Sequence, residues 1–156
     1  MALNACLQCL RQIRPKSIQA SVRHLQNATE RLYADRTYYV RTDGSDSNDG
    51  LVNNSGGAFV TIQKAWDVIK QALDLNGFNV VVQIGDGTYT AGLAVRGDVP
   101  GQNAGSAITF QGNSGMPANV LVSITGGNCF NASEGARLLI KDLEMRTTTS
   151  GACIAA

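Results

Sequence analysis

At 156 residues, with 44% apolar, 16% charged and 6% aromatic residues and 17 glycines, the chain can build one domain with a core; it is neither a charge-rich disordered tail nor a helical bundle. Its 13 Lys and Arg against 12 Asp and Glu leave a net charge of +1, which gives no electrostatic basis for nucleic acid as a partner. No apolar run reaches the length of a membrane span, and the opening residues lack both the basic start and the unbroken apolar stretch of a signal peptide.

The first elements are helical. Leu3, Leu7 and Leu10 fall at helical spacing before Pro15 interrupts them. Ser17 then offers an N-cap for a second stretch, in which Ile18, Val22, Leu25, Thr29 and Leu32 follow the four-three spacing of a coiled-coil seam. A lone helix of about 15 residues is marginal in water, so this stripe must pack on another copy, on a separate partner or on its own β body. The same region is basic, with Arg11, Arg14, Lys16, Arg23, Arg31, Arg36 and Arg41 against only Glu30 and Asp35, and the remainder of the chain is acidic. A docking segment and a solvated helix face both account for that asymmetry. Cys6 and Cys9 form a CxxC pair, but zinc would need two further ligands and only His24 is at hand. A redox motif would need a βαβ context, so core packing or disulfides between chains remain. His24 is the only histidine and sits in the lead-in, which excludes a Ser-His-Asp arrangement in the body.

From Thr37 the character changes. Tyr38, Tyr39 and Val40 make an aromatic and β-branched run, and the stretch from Asp43 to Gly50 is nearly pure turn chemistry. A helix is then expected over residues 63–75, with Ile62, Ala65, Trp66, Ile69 and Leu73 on one face and Asn76 and Gly77 ending it. Beyond Gly77 come short apolar runs separated by turn residues: 80–84, 93–95, 108–110, 120–124, 138–140 and 154–156. Those starting near 80, 108 and 138 recur at roughly 28 to 30 residues, a spacing that suits stacked coils of a strand solenoid. The helix, with Trp66, Ile62, Ile69 and Leu73, is placed to cover one end of that stack, where an open edge would template aggregation. The other end stops at Ala156 inside an apolar run, so the natural chain is expected to continue, or another chain to cover it.

The run Tyr38, Tyr39, Val40, Arg41, Thr42, then Asp43 to Gly50, then Gly57, Ala58, Phe59, Val60, Thr61, Ile62, Gln63, Lys64 and Ala65 resembles the opening motif of pectate-lyase-like β-helix proteins. Gly85, Asp86, Gly87, Thr88 and Tyr89 look like that superfamily's turn after the first core strand, and Ile108, Thr109, Phe110, Gln111, Gly112 and Asn113 look like one of its rungs. The resemblance spans residues 37–156. It implies a right-handed parallel β-helix with an N-terminal capping helix. Phage and prophage tail spikes and fibres are frequent among members with such a cap, as are secreted polysaccharide lyases and hydrolases. The virion appendages carry a short N-terminal segment that plugs into the particle, and they often associate as trimers.

Candidate chemistry is thin. The turn from Asp43 to Gly50 offers three carboxylates, but Ser45 and Ser47 stand where a calcium loop prefers stronger ligands, and Gly56 stands at its twelfth position. Asp86, Asp98, Glu134, Asp142 and Glu144 are the carboxylates available for glycan cleavage. Asp142 and Glu144 would point to one face of a strand, about 7 Å apart, flanked by Lys141 and Arg146. A solvated mixed-charge face explains all four. Arg96, Arg137, Lys141 and Arg146 are isolated and make no lyase-like basic cluster. Cys153 and the three residues after it fit a prenylation box in form, without a polybasic run before it, and read as a buried strand.

The reading is therefore a mainly β chain. Residues 1–36 form an α-helical anchoring and oligomerisation segment, docking through Leu3, Leu7, Leu10, Ile18, Val22, Leu25 and Leu32. Residues 37–156 form the cap and first coils of a parallel β-helix. The expected function is a non-catalytic part of a virion appendage for host attachment: a homotrimer that contacts other virion proteins through residues 1–36 and a host surface glycan through a missing C-terminal part. No catalytic residue, metal, cofactor, nucleic acid or membrane insertion is assigned. The rivals are a polysaccharide lyase or hydrolase whose active coils lie further on, and a stand-alone secreted or cell-surface adhesin module.

Overall fold

The structure, a computed structural model, describes residues 29–155. Leu3, Leu7, Leu10, Ile18, Val22, Leu25, Cys6, Cys9 and His24 lie outside the described residues. Within them the chain is mainly β, made of parallel sheets with no closed barrel. The elements are β1 (Glu30–Arg31), β2 (Arg36–Val40), α1 (Ile62–Ala72), β3 (Leu73–Asp74), β4 (Val80–Ile84), β5 (Gly87–Tyr89), β6 (Leu93–Arg96), β7 (Ile108–Gln111), a 3-10 turn at Pro117–Asn119, β8 (Val120–Ile124), β9 (Phe130–Ser133), β10 (Leu139–Lys141), β11 (Glu144–Thr147) and β12 (Ile154–Ala155).

From β4 onward the chain repeats one set of three steps. β4, β5 and β6 enter three different sheets, then β7, β8 and β9 pair in parallel on them, and β10, β11 and β12 pair on those. Strand β2 precedes this series and pairs with β4. Each circuit thus lays one strand on each sheet. The register aligns side chains into columns that run through the stack. One column reads Tyr38, Val82, Phe110, Ile140; a second reads Tyr89, Val122, Met145; a third reads Leu93, Phe130, Ile154. Strands β4 and β8 alternate buried and half-buried residues, the period-two signature of strands with one face on a core. Phe110 and Phe130 meet edge to face at 6.2 Å across that core, joining two of the columns.

One end of the stack is closed by side chains and loops. Tyr39 N donates to Gly50 O at 2.8 Å, Phe59 N donates to Tyr39 O at 2.9 Å, and Arg41 N donates to Phe59 O at 2.9 Å, so the outer edge of β2 is filled by the loop before α1. Gly44 is required there, because a Cβ would overlap the carbonyl oxygens of Phe59 and Ala58. The outer edge of β6 is met by one side chain. Gln63 Oε1 accepts from Ala94 N at 2.8 Å and Gln63 Nε2 donates to Ala94 O at 3.1 Å, an amide standing in for the peptide of a further strand. Helix α1 buries Ile62, Ala65, Trp66 and Ile69, and its Thr61 cap accepts from Lys64 N at 3.2 Å. Asp46 orients the cap, accepting from Val60 N, Thr61 N and the Thr61 hydroxyl.

Two expectations are corrected at this end. The helix stops at Ala72, short of Asn76, because Leu73 and Asp74 turn extended and pair with Glu30 and Arg31. Leu73 stays buried in its new role. Leu32, expected on a helical docking seam, is instead 2% exposed within the core, its N–H donating to Asp74 O at 2.9 Å and its carbonyl accepting from Asn76 Nδ2 at 3.1 Å. Spacing alone reads residues 25, 29 and 32 as helical, but pairing with β3 satisfies the backbone while burying the leucine. Residues 30–36 therefore belong to the β body and not to the lead-in.

The last described circuit, β10 to β12, is less buried than those before it. Ile140, Leu143 and Met145 are only partly buried, while Leu139 and Ile154 are 56% and 55% exposed. Replacing Leu32 with Ala is expected to lower the stability of the body by about 2–5 kcal/mol, as for other core leucines. Chemical denaturation of the protein with and without the substitution measures it; an unchanged midpoint would return Leu32 to a docking seam.

Candidate functional site

The acidic turn before α1 is fully engaged in building the cap. Arg41 donates to both oxygens of Asp43, at 2.8 and 3.0 Å, and this pairing holds the Asp43 carboxyl below its ordinary range. Asp46 is committed to the start of α1, and Asp49 accepts from Leu51 N at 3.0 Å. Asn48 donates to Ser55 O and Ala58 O, tying the turn to the returning strand. Among the described residues no group of three or more His, Cys, Asp or Glu is placed to hold a metal ion.

The carboxylates considered for glycan cleavage are dispersed. Asp142 has a left-handed backbone, φ 59°, in the turn between β10 and β11, whereas Glu144 lies on β11. The turn breaks the strand between them, so the expected same-face pair is not formed. Asp142 accepts from Gln111 Nε2 at 3.3 Å, and Glu144 pairs with Arg146 at 2.8 Å. Asp98 faces Arg137 at 3.4 Å, and Glu134 occupies a second left-handed turn, after β9. Asp86 is clasped by two amides, accepting from Asn113 Nδ2 at 2.9 Å and Asn119 Nδ2 at 3.0 Å.

What the fold does assemble is a polar furrow along the corner where the chain leaves the first sheet. Two adjoining clefts of about 410 and 230 Å³ share Gly85 and Asp86. The first is lined by Arg41, Thr42 and Asp43, the second by Asn53, Gln83, Gln111 and Asn113. Gln83 donates to Gln111 O and Gly112 O, so successive circuits are stitched together along the furrow by side-chain amides. Amides and carboxylates in this arrangement can exchange hydrogen bonds with hydroxyl-rich or amide-rich surfaces. Beneath the furrow, the buried Tyr89 hydroxyl donates to Gly85 O at 2.9 Å, with Val40 O at 3.3 Å, and burial pushes its pKa up to about 12.

Sequence reasoning singled out Asp86 but missed its partners Asn113 and Asn119, and it missed Gln63 as an edge amide. The only signal for Asn113 and Asn119 is the recurrence of Asn and Gln at the corners of successive circuits, which composition masks as ordinary turn chemistry. Comparison with protein-family models, curated proteins and solved structures returns no match.

Tyr89 makes a pH dependence. Because its folded pKa lies above the ordinary 10.0, its contribution is fully present below pH 10 and is lost as pH rises towards about 12. Replacing Tyr89 with Phe is expected to cost about 1 kcal/mol at neutral pH, from the lost hydroxyl bonds. It should also make the alkaline decline in the denaturation midpoint shallower. Equal slopes for the two proteins would contradict the assignment.

Proposed function

We propose that the body is the capped beginning of a right-handed parallel β-helix, and that the chain is the anchoring and assembly part of a phage tail spike, tail fibre or related virion appendage for host attachment. The observation that carries this reading is the stack itself: three circuits of three parallel strands in register, closed at one end by α1, Gln63 and the loop from Gly44 to Phe59. The hand follows from general stereochemistry, since crossovers between parallel neighbours such as β4, β7 and β10 are right-handed in nearly all sheets. A capped rod of this kind transmits position from one end to the other, which suits an appendage. The opening motif supports the same assignment, through its resemblance to β-helix proteins of virion appendages and secreted glycan-cleaving enzymes.

A non-catalytic role for this part of the molecule is supported by the carboxylates: Asp86, Asp98, Asp142 and Glu144 are engaged with amides or guanidinium groups. Anchoring is assigned to residues 1–28, with Leu3, Leu7, Leu10, Ile18, Val22 and Leu25 as the contacts and a homotrimer as the assembly. Leu32 leaves that set because it is part of the core.

The test is the solution mass of the whole chain by light scattering, beside a variant lacking residues 1–28, each with and without reductant. A trimer that becomes a monomer on removal of the lead-in is expected, and covalent multimers that vanish on reduction would assign Cys6 and Cys9 to cross-linking. A monomer in every condition would overturn self-assembly and favour the stand-alone module. Release of oligosaccharides from bacterial surface glycan by this chain alone would favour the enzyme.

A further inference from the structure

The corner before β9 and the corner before β12 are stacked residue upon residue. Gly151 lies so close over Gly127 that a Cβ on it would overlap the Gly127 carbonyl. Ala152 N donates to Asn128 Oδ1 at 2.9 Å, and Cys129 N donates to Ala152 O at 3.2 Å. Phe130 N donates to Cys153 O at 3.0 Å, and Phe130 is the register partner of Ile154. Cys153 therefore lies directly over Cys129, one rung away.

The two sulfurs also occupy equivalent sites. Cys129 Sγ approaches Val122 O at 3.7 Å and Cys153 Sγ approaches Met145 O at 3.6 Å, and Val122 and Met145 are themselves register partners. Both thiols are free. In-register strands lie about 4.7–4.9 Å apart, inside the Cα separation of about 4.4–6.8 Å that a disulfide spans. The Cβ atoms must approach by less than about 1 Å to reach bonding geometry. That adjustment is small for a two-residue strand such as β12, entered through the exposed Ala152 beside Cys153.

We propose that Cys129 and Cys153 are a disulfide site that bonds one circuit of the stack to the next, formed by exchange with a low-molecular-weight disulfide. Cys153, half-buried, attacks first as its thiolate, forming a mixed disulfide and expelling one small thiolate. Cys129, buried, then gives up its proton to solvent and attacks Cys153 Sγ, expelling the second. The protein dithiol is oxidised by two electrons and the small disulfide is reduced to two thiols. Burial, which raises the Cys129 pKa, keeps that thiol protonated and sets the order of attack. The bond closes a loop that contains β9, β10 and β11 and ties the start of β12 to the start of β9.

The experiment uses the full chain incubated with oxidised glutathione, then trypsin digestion without reductant and mass spectrometry. Arg137, Lys141 and Arg146 lie between the two cysteines, so the bond would join two otherwise separate peptides. A linked peptide containing Cys129 and Cys153 is expected, with a thermal midpoint several degrees higher that returns on reduction. Cys153→Ser, at a half-buried position, should fold and show neither effect; Cys129→Ala serves as the second control. Glutathione adducts without the internal link, or a link with no change in midpoint, would overturn the proposal.

Discussion

Parallel strands stacked in register place every backbone donor and acceptor between two neighbours, and the whole molecule is arranged around what happens where a neighbour runs out. In the middle of the stack β7, β8 and β9 have strands on both sides. At the first circuit two outer edges are met by other means, that of β2 by the loop carrying Gly50 and Phe59 and that of β6 by the Gln63 amide. The substitutes are chemically different, yet each supplies a donor and an acceptor at strand spacing. Helix α1 adds the apolar side of the same solution, laying Trp66 and Ile69 over the core.

This constraint accounts for the concentration of turn residues before α1. A loop that must run alongside β2, return and start a helix needs Gly44 for close approach, Asn48 to hold its two arms together and Asp46 to fix the helix start. The acidity of the segment is thus a by-product of loop construction. The same logic explains Asp86, Asp98 and Asp142, which sit at corners where Asn, Arg and Gln side chains tie one circuit to the next, whereas Glu144 pairs with Arg146 of its own strand.

The repeating apolar runs were legible because β4, β7, β8 and β10 are contiguous stretches of branched residues. Strands β5, β9 and β11 were not. β5 contains Gly87 and an exposed Thr88, β9 commits only Phe130 fully to the core, and β11 carries Met145 among Glu144, Arg146 and Thr147. With so little apolar content, their strand state comes from pairing with a neighbouring circuit, which no local pattern records. The same holds for Leu32 and Leu73, whose helical spacing was overruled by the pairing of β1 with β3. The polar furrow was least visible, since Asp86, Asn113 and Asn119 are brought together only when the circuits come into register.

The columns that run through Tyr38, Val82, Phe110 and Ile140 also have a mechanical meaning. Hydrogen bonds between circuits point along the stack, so tension applied along that axis pulls on them directly and is shared by the three sheets at each level. Between the last two described circuits the pairing of β12 with β9 is the shortest, two residue pairs against three for β10 with β7 and four for β11 with β8, so under load that level parts first at β12. Force across the axis instead loads whole strands in shear, against all their bonds at once. Such a body is stiff to bending by a sideways push and yields to a pull one level at a time.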